Sequence, residues 1–384
     1  MARLDRLPPY LFSAIDAAKA AARAAGRPVV DLGIGDPDRP TPAPLVEVMT
    51  RALAEPAGHR YPAQRGDAGL RRVIAAWLAE RHGVEADPDR EILALIGSKE
   101  GLGHLPLTCV EEGDNVLVPS IGYPVYGQAT TLAGGDPRVF DLAPGRGFVP
   151  DLAELDRLAD DHTRMAFLNY PNNPTGAVVE SGFWSEAAAL AARRGFVLVN
   201  DAAYLEVTLD GGRPRSMLRE VDHRTNRVIE LHSLSKMFNM TGWRVGFAVG
   251  NADVVRALGR VKESIDSGVF TPVQKVAAHA LGPAFAELQR DVMAPYAARR
   301  KVMVEALEAG GFAVFPSGAT FYVWVRVPGG GSSAAFCTRV LEEIDVVVTP
   351  GLGFGPGGEG WFRISLTAAD QDVAEGARRF RQWR

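Results

Sequence analysis

The chain has 384 residues, of which 47% are apolar and 23% are charged. This composition is typical of a globular protein and excludes a disordered or fibrous chain, and the length predicts two or three domains. Lysine and arginine together number 42, against 46 aspartates and glutamates, which gives a net charge of −4. Because no basic excess is available to neutralise a phosphate backbone, we expect no nucleic-acid partner.

The number of cysteines and the N-terminal sequence predict the cellular location of the protein. Cys109 and Cys337 are the only cysteines in the sequence; they are too few for a disulfide framework, and a reducing cytoplasm fits this usage best. The N-terminal residues lack the apolar run of a signal peptide, and no stretch approaches the ~18 apolar residues that a membrane-spanning helix needs. We therefore expect a cytoplasmic protein that does not enter a membrane.

The first three-quarters of the chain alternates helical patterns with short apolar runs. From Asp67 onward, apolar residues recur at helical spacing until Gly83, and a second helix is predicted over Phe183–Arg194, ended by Gly195. Most of the apolar runs are unbroken, which is typical of parallel strands covered on both faces. The predicted strands are residues 92–96, 115–118, 165–168, 196–199, 228–231 and 245–249.

The pattern changes after Gly282. A long helix, bent near Pro295, is predicted first, and a strand, a helix, a strand and a final helix follow it. The first four of these elements are expected at residues 283–310, 320–327, 333–344 and 361–366.

These elements predict an α/β fold. The alternation of strands and helices indicates a large domain built on a doubly wound, mainly parallel sheet. We place this domain at residues 44–282 and a smaller α+β domain at residues 283–384. Residues 1–43 are expected to join the smaller domain, since their proline-rich sequence has no core of its own.

Reactive side chains follow five of the predicted strands. In an open parallel sheet, ligands bind beyond the carboxyl ends of the strands, so these side chains are expected to meet. Arg244 stands eight residues beyond the last of them. In chain order they are Ser98 and Lys99, Tyr123, Asn173, Asp201 and Tyr204, and Ser233, Ser235 and Lys236.

Together these residues fit the chemistry of pyridoxal 5′-phosphate. The amine of Lys236 can condense with the cofactor aldehyde to form a Schiff base. The start of the helix at Ser98 and Lys99 offers backbone N–H groups to the phosphate. The other oxygens of the phosphate are expected to be bound by Arg244, Ser233 and Ser235.

The cofactor ring needs partners as well. Asp201 is placed to keep the pyridine nitrogen protonated, so that the ring can take up carbanion electrons. Tyr204 and Asn173 offer hydrogen bonds to the ring hydroxyl, and Tyr123 offers a flat face for stacking. The lysine is predicted to be the catalytic centre, with Asp201 and Tyr204 beside it.

The segment around the lysine resembles the signature of fold-type I, class I/II aminotransferases. It reads Ser233-Leu-Ser-Lys-Met-Phe-Asn-Met-Thr-Gly-Trp-Arg-Val-Gly-Phe247. Within that superfamily the chain is most similar to LL-diaminopimelate aminotransferases, over about residues 6–370. Four segments carry this likeness: Leu32-Gly-Ile-Gly-Asp-Pro-Asp38, Leu95-Ile-Gly-Ser-Lys-Glu-Gly101, Ile265-Asp-Ser-Gly-Val-Phe270 and Val347-Val-Thr-Pro-Gly-Leu-Gly-Phe-Gly355.

The resemblance implies an enzyme that moves an amino group between an L-amino acid and a 2-oxo acid. It implies that Lys236 carries the transferred proton and that Arg363 grips the substrate α-carboxylate, with Asn173 assisting. Gly35 is expected to approach the substrate by its backbone. Tyr61 resembles the tyrosine that reaches the cofactor phosphate of a neighbouring subunit, which implies a homodimer with shared active sites.

Other functions were weighed against transamination. A different pyridoxal phosphate reaction on the same fold, such as β-elimination, γ-substitution or oxidation, shares the cofactor residues, and a non-catalytic relative would lack some of them. The glycine-rich run 351–357 mimics a dinucleotide-binding motif, but a strand rather than a helix follows it, so we interpret it as a loop near Arg363. The histidines and cysteines show no metal-ligand spacing, so no metal is expected.

The chain departs from the family it resembles just after Tyr61. LL-diaminopimelate aminotransferases have an acidic residue there, which can meet the distal ammonium of the substrate across the dimer. This sequence reads Tyr61-Pro-Ala-Gln-Arg-Gly66. Either Arg65 faces the substrate and the specificity has drifted toward acidic, neutral or specialised amino acids, or Arg65 points to solvent and Gln64 accepts the contact.

Overall fold

A computed structural model describes residues 4–7 and 13–383 of the chain. In chain order the strands are β1 Val30–Asp31, β2 Ile92–Leu95, β3 Asn115–Pro119, β4 Asp136–Phe140, β5 Thr163–Leu168, β6 Val197–Asp201, β7 Val228–Ser233, β8 Gly246–Gly250, β9 Tyr322–Arg326, β10 Val346–Val347, β11 Thr349–Pro350 and β12 Trp361–Ser365. The α-helices are α1 Ser13–Ala24, α2 Ala43–Leu53, α3 Ala68–His82, α4 Ser98–His104, α5 Val125–Ala133, α6 Leu152–Leu158, α7 Phe183–Arg194, α8 Met217–Glu220, α9 Leu234–Met237, α10 Ala252–Ile265, α11 Thr271–Ala280, α12 Phe285–Ala309, α13 Ser333–Ile344 and α14 Asp370–Gln382.

The helix boundaries follow from local capping chemistry. The side chain of Asp67 accepts a hydrogen bond from the Leu70 N–H at the start of α3, and Gly83 ends this helix with a φ of 66°. The bounds of α7 and α13 agree with the prediction, and α12 continues as one helix through Pro295.

The large sheet has the order β2-β8-β7-β6-β5-β3-β4. Only β8 runs antiparallel to its neighbours, so the other six strands share one direction. Hydrophobic cores cover both faces of this sheet, and the predicted doubly wound, mainly parallel α/β fold is confirmed. The sequence pattern does not predict β4, a partly exposed edge strand that contains Pro137.

A second hydrophobic core surrounds the remaining strands. Strands β11, β12 and β9 form a three-stranded antiparallel sheet, and α12 packs against α14. The N-terminal β1 pairs in parallel with β10, so residues 30–31 lie beside the C-terminal part of the chain. The domain boundaries at residues 43 and 282 stay a prediction.

Across residues 4–7 and 13–383, no helix is both long and apolar enough to cross a membrane.

Candidate active site

One cavity of about 570 Å³ lies at the carboxyl edge of the large sheet. The parallel strands all end here, and the antiparallel β8 begins here, which brings Arg244 to the same edge. Tyr61 is the only predicted site residue outside it, and this residue is 88% exposed. The other predicted residues line the cavity together: Gly35, Ser98, Lys99, Tyr123, Asn173, Asp201, Tyr204, Ser233, Ser235, Lys236, Arg244 and Arg363.

Lys236 enters the cavity from α9, which follows directly on β7. Its amine donates a 3.3 Å hydrogen bond to the Gly35 carbonyl oxygen. The amine also lies 5.7 Å from the centre of the Phe321 ring. The lysine is thus held near the backbone of the N-terminal segment by weak contacts, which leave the amine available for chemistry.

Asp201 ends β6 and is buried, with 5% of its surface exposed. The Tyr126 hydroxyl donates a 2.8 Å hydrogen bond to its Oδ2, and the Ala203 N–H donates to Oδ1 over 3.3 Å. Burial raises the pKa of Asp201 to about 6, although the Tyr126 hydrogen bond acts in the opposite direction. A buried carboxylate of this kind is best stabilised by a cation, and a protonated pyridine ring is such a partner.

Arg244 forms a polar corner at the start of β8. Its φ is 55°, and its Nη1 donates to the Thr241 carbonyl oxygen at 2.8 Å and to the Ser235 hydroxyl at 3.5 Å. A Cβ at Gly97 would lie 2.3 Å from the guanidinium, so glycine, which also suits the φ of 77° here, allows this close approach. The next residue, Ser98, begins α4. Backbone N–H groups, hydroxyls and a guanidinium meet here, which is a donor set suited to phosphate.

Aromatic rings form another part of the cavity wall. Tyr123 lies edge-on to Tyr126, with ring centres 6.2 Å apart, and Tyr126 stacks in turn on Phe167. The Lys99 amine lies 5.7 Å from the centre of the Tyr123 ring. Tyr123 is therefore held by neighbouring rings while it lines the cavity.

Arg363 is 7% exposed and lies between two aromatic rings. Its guanidinium carbon is 4.1 Å from the centre of the Tyr322 ring and 4.7 Å from that of Phe354. Its Nη1 donates to the Asn173 Oδ1 at 3.1 Å, and its Nη2 donates to the Gly33 carbonyl oxygen at 2.8 Å. Its Nε is buried without a hydrogen-bond partner among the described residues. Because a guanidinium has five N–H groups, three of them are left for a carboxylate.

Several side chains at this site are not among the residues predicted from the sequence. Tyr126 lies in the first turn of α5, and Asn169 directly follows β5, so both come shortly after predicted strands. Asn169 connects Asp201 to Asn173: its Nδ2 donates to the Asp201 carbonyl oxygen at 2.6 Å, and its Oδ1 accepts from the Asn173 N–H at 2.8 Å. Tyr322 and Phe354 also line the cavity. They come from segments far along the chain that carry no loop motif, except that Phe354 belongs to the glycine-rich run near Arg363.

The position of Arg65 differs from both interpretations of the sequence. The side chain is half-buried and turns back onto its own chain, where Nη2 donates to the carbonyl oxygens of Ile92 at 3.2 Å and Arg90 at 3.4 Å. Burial lowers its pKa, with a smaller contribution from nearby Arg71. The Gln64 Oε1 is buried and has no hydrogen-bond partner in the described part of the chain.

Three side chains of metal-ligand type, Glu100, His104 and Asp266, lie close together outside the cavity. The buried Lys262 ammonium lies 3.0 Å from the Glu100 Oε2 and 2.9 Å from the Asp266 Oδ1. These carboxylates therefore already neutralise a buried cation.

Comparison with known proteins places these features in context. The sequence matches the family described as "Aminotransferase class I and II" over residues 27–380. It is 47% identical over 380 residues to an LL-diaminopimelate aminotransferase of Desulforudis audaxviator, covering 99% of this chain and 96% of that protein. A protein of the same name from Nitratidesulfovibrio vulgaris (strain DSM 19637 / Miyazaki F) is 46% identical, with 98% of this chain and 96% of the relative covered.

Solved structures have the same fold. Substrate-bound BacF from Bacillus subtilis superposes with a TM-score of 0.92 and 32% identity, covering 100% of this chain and 97% of BacF. A Thermus thermophilus aspartate aminotransferase double mutant also has a TM-score of 0.92, with 28% identity and coverage of 100% and 98%.

Proposed function

Because the chain belongs to the class I and II aminotransferases, we propose that the cavity residues carry out transamination in the roles that the sequence predicts. The enzyme depends on pyridoxal 5′-phosphate and moves an amino group between an amino acid and a 2-oxo acid. The observation that carries the assignment of roles is that one cavity holds a lysine amine, a buried aspartate and a stacked arginine. The cofactor fits this set because Asp201 needs a cationic partner and the corner at Arg244 is rich in donors.

Each residue then has a definite task. Bound pyridoxal phosphate supplies an electron sink that makes the substrate Cα–H acidic. Lys236 holds the cofactor and moves the proton at the substrate Cα. Asp201 holds the proton on the ring nitrogen, and Tyr126 fixes the orientation of its carboxylate. Tyr204 and Asn173 form hydrogen bonds to the ring hydroxyl of the cofactor, and Tyr123 stacks on one face of the ring. The phosphate is bound by Ser98, Lys99, Ser233, Ser235 and Arg244.

The substrate end is built around Arg363. Its free N–H groups are proposed to bind the α-carboxylate, with Asn173 assisting, while Gly35 lets the substrate approach the backbone. Since Arg363 and Lys236 line the same cavity, a bound carboxylate orients the Cα toward the lysine amine.

We propose that the donor is an L-amino acid whose distal group is not that of LL-diaminopimelate. The relatives with 46–47% identity are named for that substrate, but the residues between Tyr61 and Asp67 include no carboxylate. A missing ion pair to a distal ammonium at ~4 Å is worth on the order of 1–4 kcal/mol. We expect kcat/KM for glutamate, aspartate, alanine, arginine or an aromatic donor to equal or exceed that for LL-diaminopimelate.

The variant Arg65→Glu tests this, because a glutamate cannot donate to the carbonyl oxygens of Ile92 and Arg90 that now hold Arg65 and it places a carboxylate in the segment after Tyr61. It is expected to raise kcat/KM for LL-diaminopimelate relative to glutamate by about 10-fold or more. Arg72→Glu changes the same charge at an exposed position of α3 and serves as the matched control. A strong preference for LL-diaminopimelate in the wild type, unchanged in Arg65→Ala, would refute altered specificity and leave the assignment as an aminotransferase intact.

We propose that the enzyme is a homodimer with shared active sites. Tyr61 lies outside the cavity of its own chain, and two other large apolar side chains, Ile265 and Phe270, are exposed. Gly268, between them, packs against Pro62. The segment that carries the two exposed side chains therefore lies beside the residue that follows Tyr61, and Tyr61 is available to a second copy.

Hybrid dimers are expected to recover activity. A subunit with Lys236→Ala and a subunit with Tyr61→Ala leave one site intact and damage the other twice. Random reassociation should give roughly a quarter of wild-type activity above the level of the separate variants, because half of the dimers are hybrids with one intact site. The control pairs Lys236→Ala with Asp201→Asn: both residues lie in the same cavity, so no site is intact. Hybrids that form, as seen by native mass spectrometry, without recovery would contradict the role of Tyr61.

We also propose domains at residues 44–282 and 283–384, with residues 1–43 joining the second, because a hydrophobic core distinct from those on the two faces of the large sheet surrounds the C-terminal strands, and because β1 pairs with β10. A cytoplasmic location is proposed on the basis of the free thiols of Cys109 and Cys337.

A further inference from the structure

Tyr322 occupies a position between the two ends of the active site. It begins β9, where Trp324 pairs with Arg363 of the antiparallel β12. Residues two apart on a strand share a face, so Tyr322 is the diagonal neighbour of Arg363. Its ring lies 4.1 Å from the guanidinium carbon, and the residue is 3% exposed. Burial of this kind strengthens the attraction between a cation and an aromatic ring.

The hydroxyl of Tyr322 points the other way, toward the cofactor side. It lies 3.0 Å from the Tyr204 hydroxyl, in a buried hydrogen bond. A Cβ at Gly35 would lie 2.2 Å from the same oxygen, so Gly35 leaves room for this hydroxyl. Tyr322 therefore contacts three of the residues to which the sequence assigns functions.

The hydrogen bond between Tyr204 and Tyr322 uses one of their two hydroxyl hydrogens. Each hydroxyl has one hydrogen, so only one of the two tyrosines donates in this contact. If Tyr204 donated to Tyr322, it would have no hydrogen left for a ligand. If Tyr322 donates, the Tyr204 hydrogen is free to point into the cavity. Burial, and next the neighbouring Tyr322, raise the pKa of Tyr204 well above its usual value, so the hydroxyl stays protonated.

We propose that Tyr322 is a positioning residue that serves both ends of the site. Its hydroxyl donates to Tyr204 and so directs the Tyr204 hydrogen to the ring hydroxyl of the cofactor. Its ring holds the Arg363 guanidinium in the orientation that binds the substrate carboxylate. This inference rests on the roles proposed above for Tyr204 and Arg363.

Two variants separate these effects in the holoenzyme. Tyr322→Phe keeps the ring and removes the hydroxyl, and Tyr322→Leu removes both. Tyr322→Phe is expected to shift the pH midpoint of the visible absorption change of the bound cofactor by about 0.5–1 unit, measured without substrate. Its KM for the amino acid should stay within about 2-fold of wild type, while kcat falls. Tyr322→Leu should show the same spectral shift and raise KM about 3- to 10-fold.

A binding measurement adds a readout that does not depend on turnover. 2-Methylalanine has the α-carboxylate but no Cα hydrogen, so its dissociation constant can be titrated by absorbance. This constant should rise in Tyr322→Leu and not in Tyr322→Phe. Tyr296→Phe is the matched control, since it removes a buried hydroxyl bound to Asn239, outside the cavity, and should move neither readout.

An unchanged spectral midpoint in Tyr322→Phe would overturn the role of the hydroxyl. Unchanged affinity for 2-methylalanine in Tyr322→Leu would overturn the role of the ring. Tyr204→Phe and Arg363→Gln are measured in parallel: if these two leave both readouts at wild-type values, the proposed roles of Tyr204 and Arg363 fail instead. Near-ultraviolet circular dichroism establishes that each variant is folded before it is compared.

Discussion

Replacing Lys236 by alanine is expected to reduce turnover by at least ~10³-fold while the protein still folds. Among the described residues, the lysine amine forms one long hydrogen bond, to the Gly35 carbonyl oxygen, so its removal is expected to cost little stability. The chemical loss is large because one group supplies both the covalent attachment of the cofactor and the proton transfer at the substrate Cα. Turnover, the visible absorption of the bound cofactor and the melting temperature should be measured on the same preparation.

Two further variants serve as comparisons for Lys236→Ala. Lys236→Arg keeps the positive charge but cannot condense with an aldehyde, and it should be as inactive as the alanine variant. Lys301→Ala removes an exposed lysine of α12 and should behave as wild type. Borohydride reduction followed by peptide mass analysis should find the cofactor on Lys236 and on no other lysine. Near-wild-type activity in Lys236→Ala, or attachment at a different lysine, would refute the assignment.

The sequence predicts the large sheet well because its strands are buried on both faces. Unbroken apolar runs such as that of β2, which reads Ile-Leu-Ala-Leu, arise where side chains on both faces leave water. The edge strand β4 reads Asp-Pro-Arg-Val-Phe and buries only Phe140 fully, so burial imposes no such pattern on it. The two-residue strands β1 and β10 are too short for any periodicity, and their pairing depends on the packing of the whole chain.

The candidate site was predictable to the extent that its residues follow parallel strands. Such loops meet at one sheet edge in every doubly wound fold, so the sequence order of Lys99, Asp201 and Lys236 already implies their proximity. Tyr322 meets Tyr204 across 118 residues of chain, and this contact depends on how the smaller sheet packs against the larger one. The orientation of Arg65 could not be predicted either, since it binds backbone carbonyl oxygens of Arg90 and Ile92 and every residue has such an oxygen.

Replacing Arg363 is expected to cause the second-largest loss of activity, after the replacement of Lys236. Arg363→Gln should lower kcat/KM for the L-amino acid by about 10²- to 10³-fold, mostly through KM, because a buried carboxylate loses its charged partner. Arg363→Lys keeps the charge but offers a single point of contact in place of a planar fork, and should recover only part of the loss. The rings of Tyr322 and Phe354, which lie on the guanidinium, have no flat cation to stack on in either variant.

A substrate without the carboxylate isolates this interaction. The amine that corresponds to the preferred amino acid, with hydrogen in place of the α-carboxylate, should be a poor substrate of the wild type, and Arg363→Gln should lower its rate by less than about 3-fold. If Arg363 binds the carboxylate, the activity with the amino acid divided by the activity with the amine is therefore much smaller in the variant than in the wild type. Arg326→Gln, an exposed arginine on β9 next to the same pair of strands, should leave the ratio unchanged. Equal losses for the amino acid and the amine in Arg363→Gln would mean that the arginine only supports the structure of the cavity, since a carboxylate contact cannot affect a substrate that has no carboxylate.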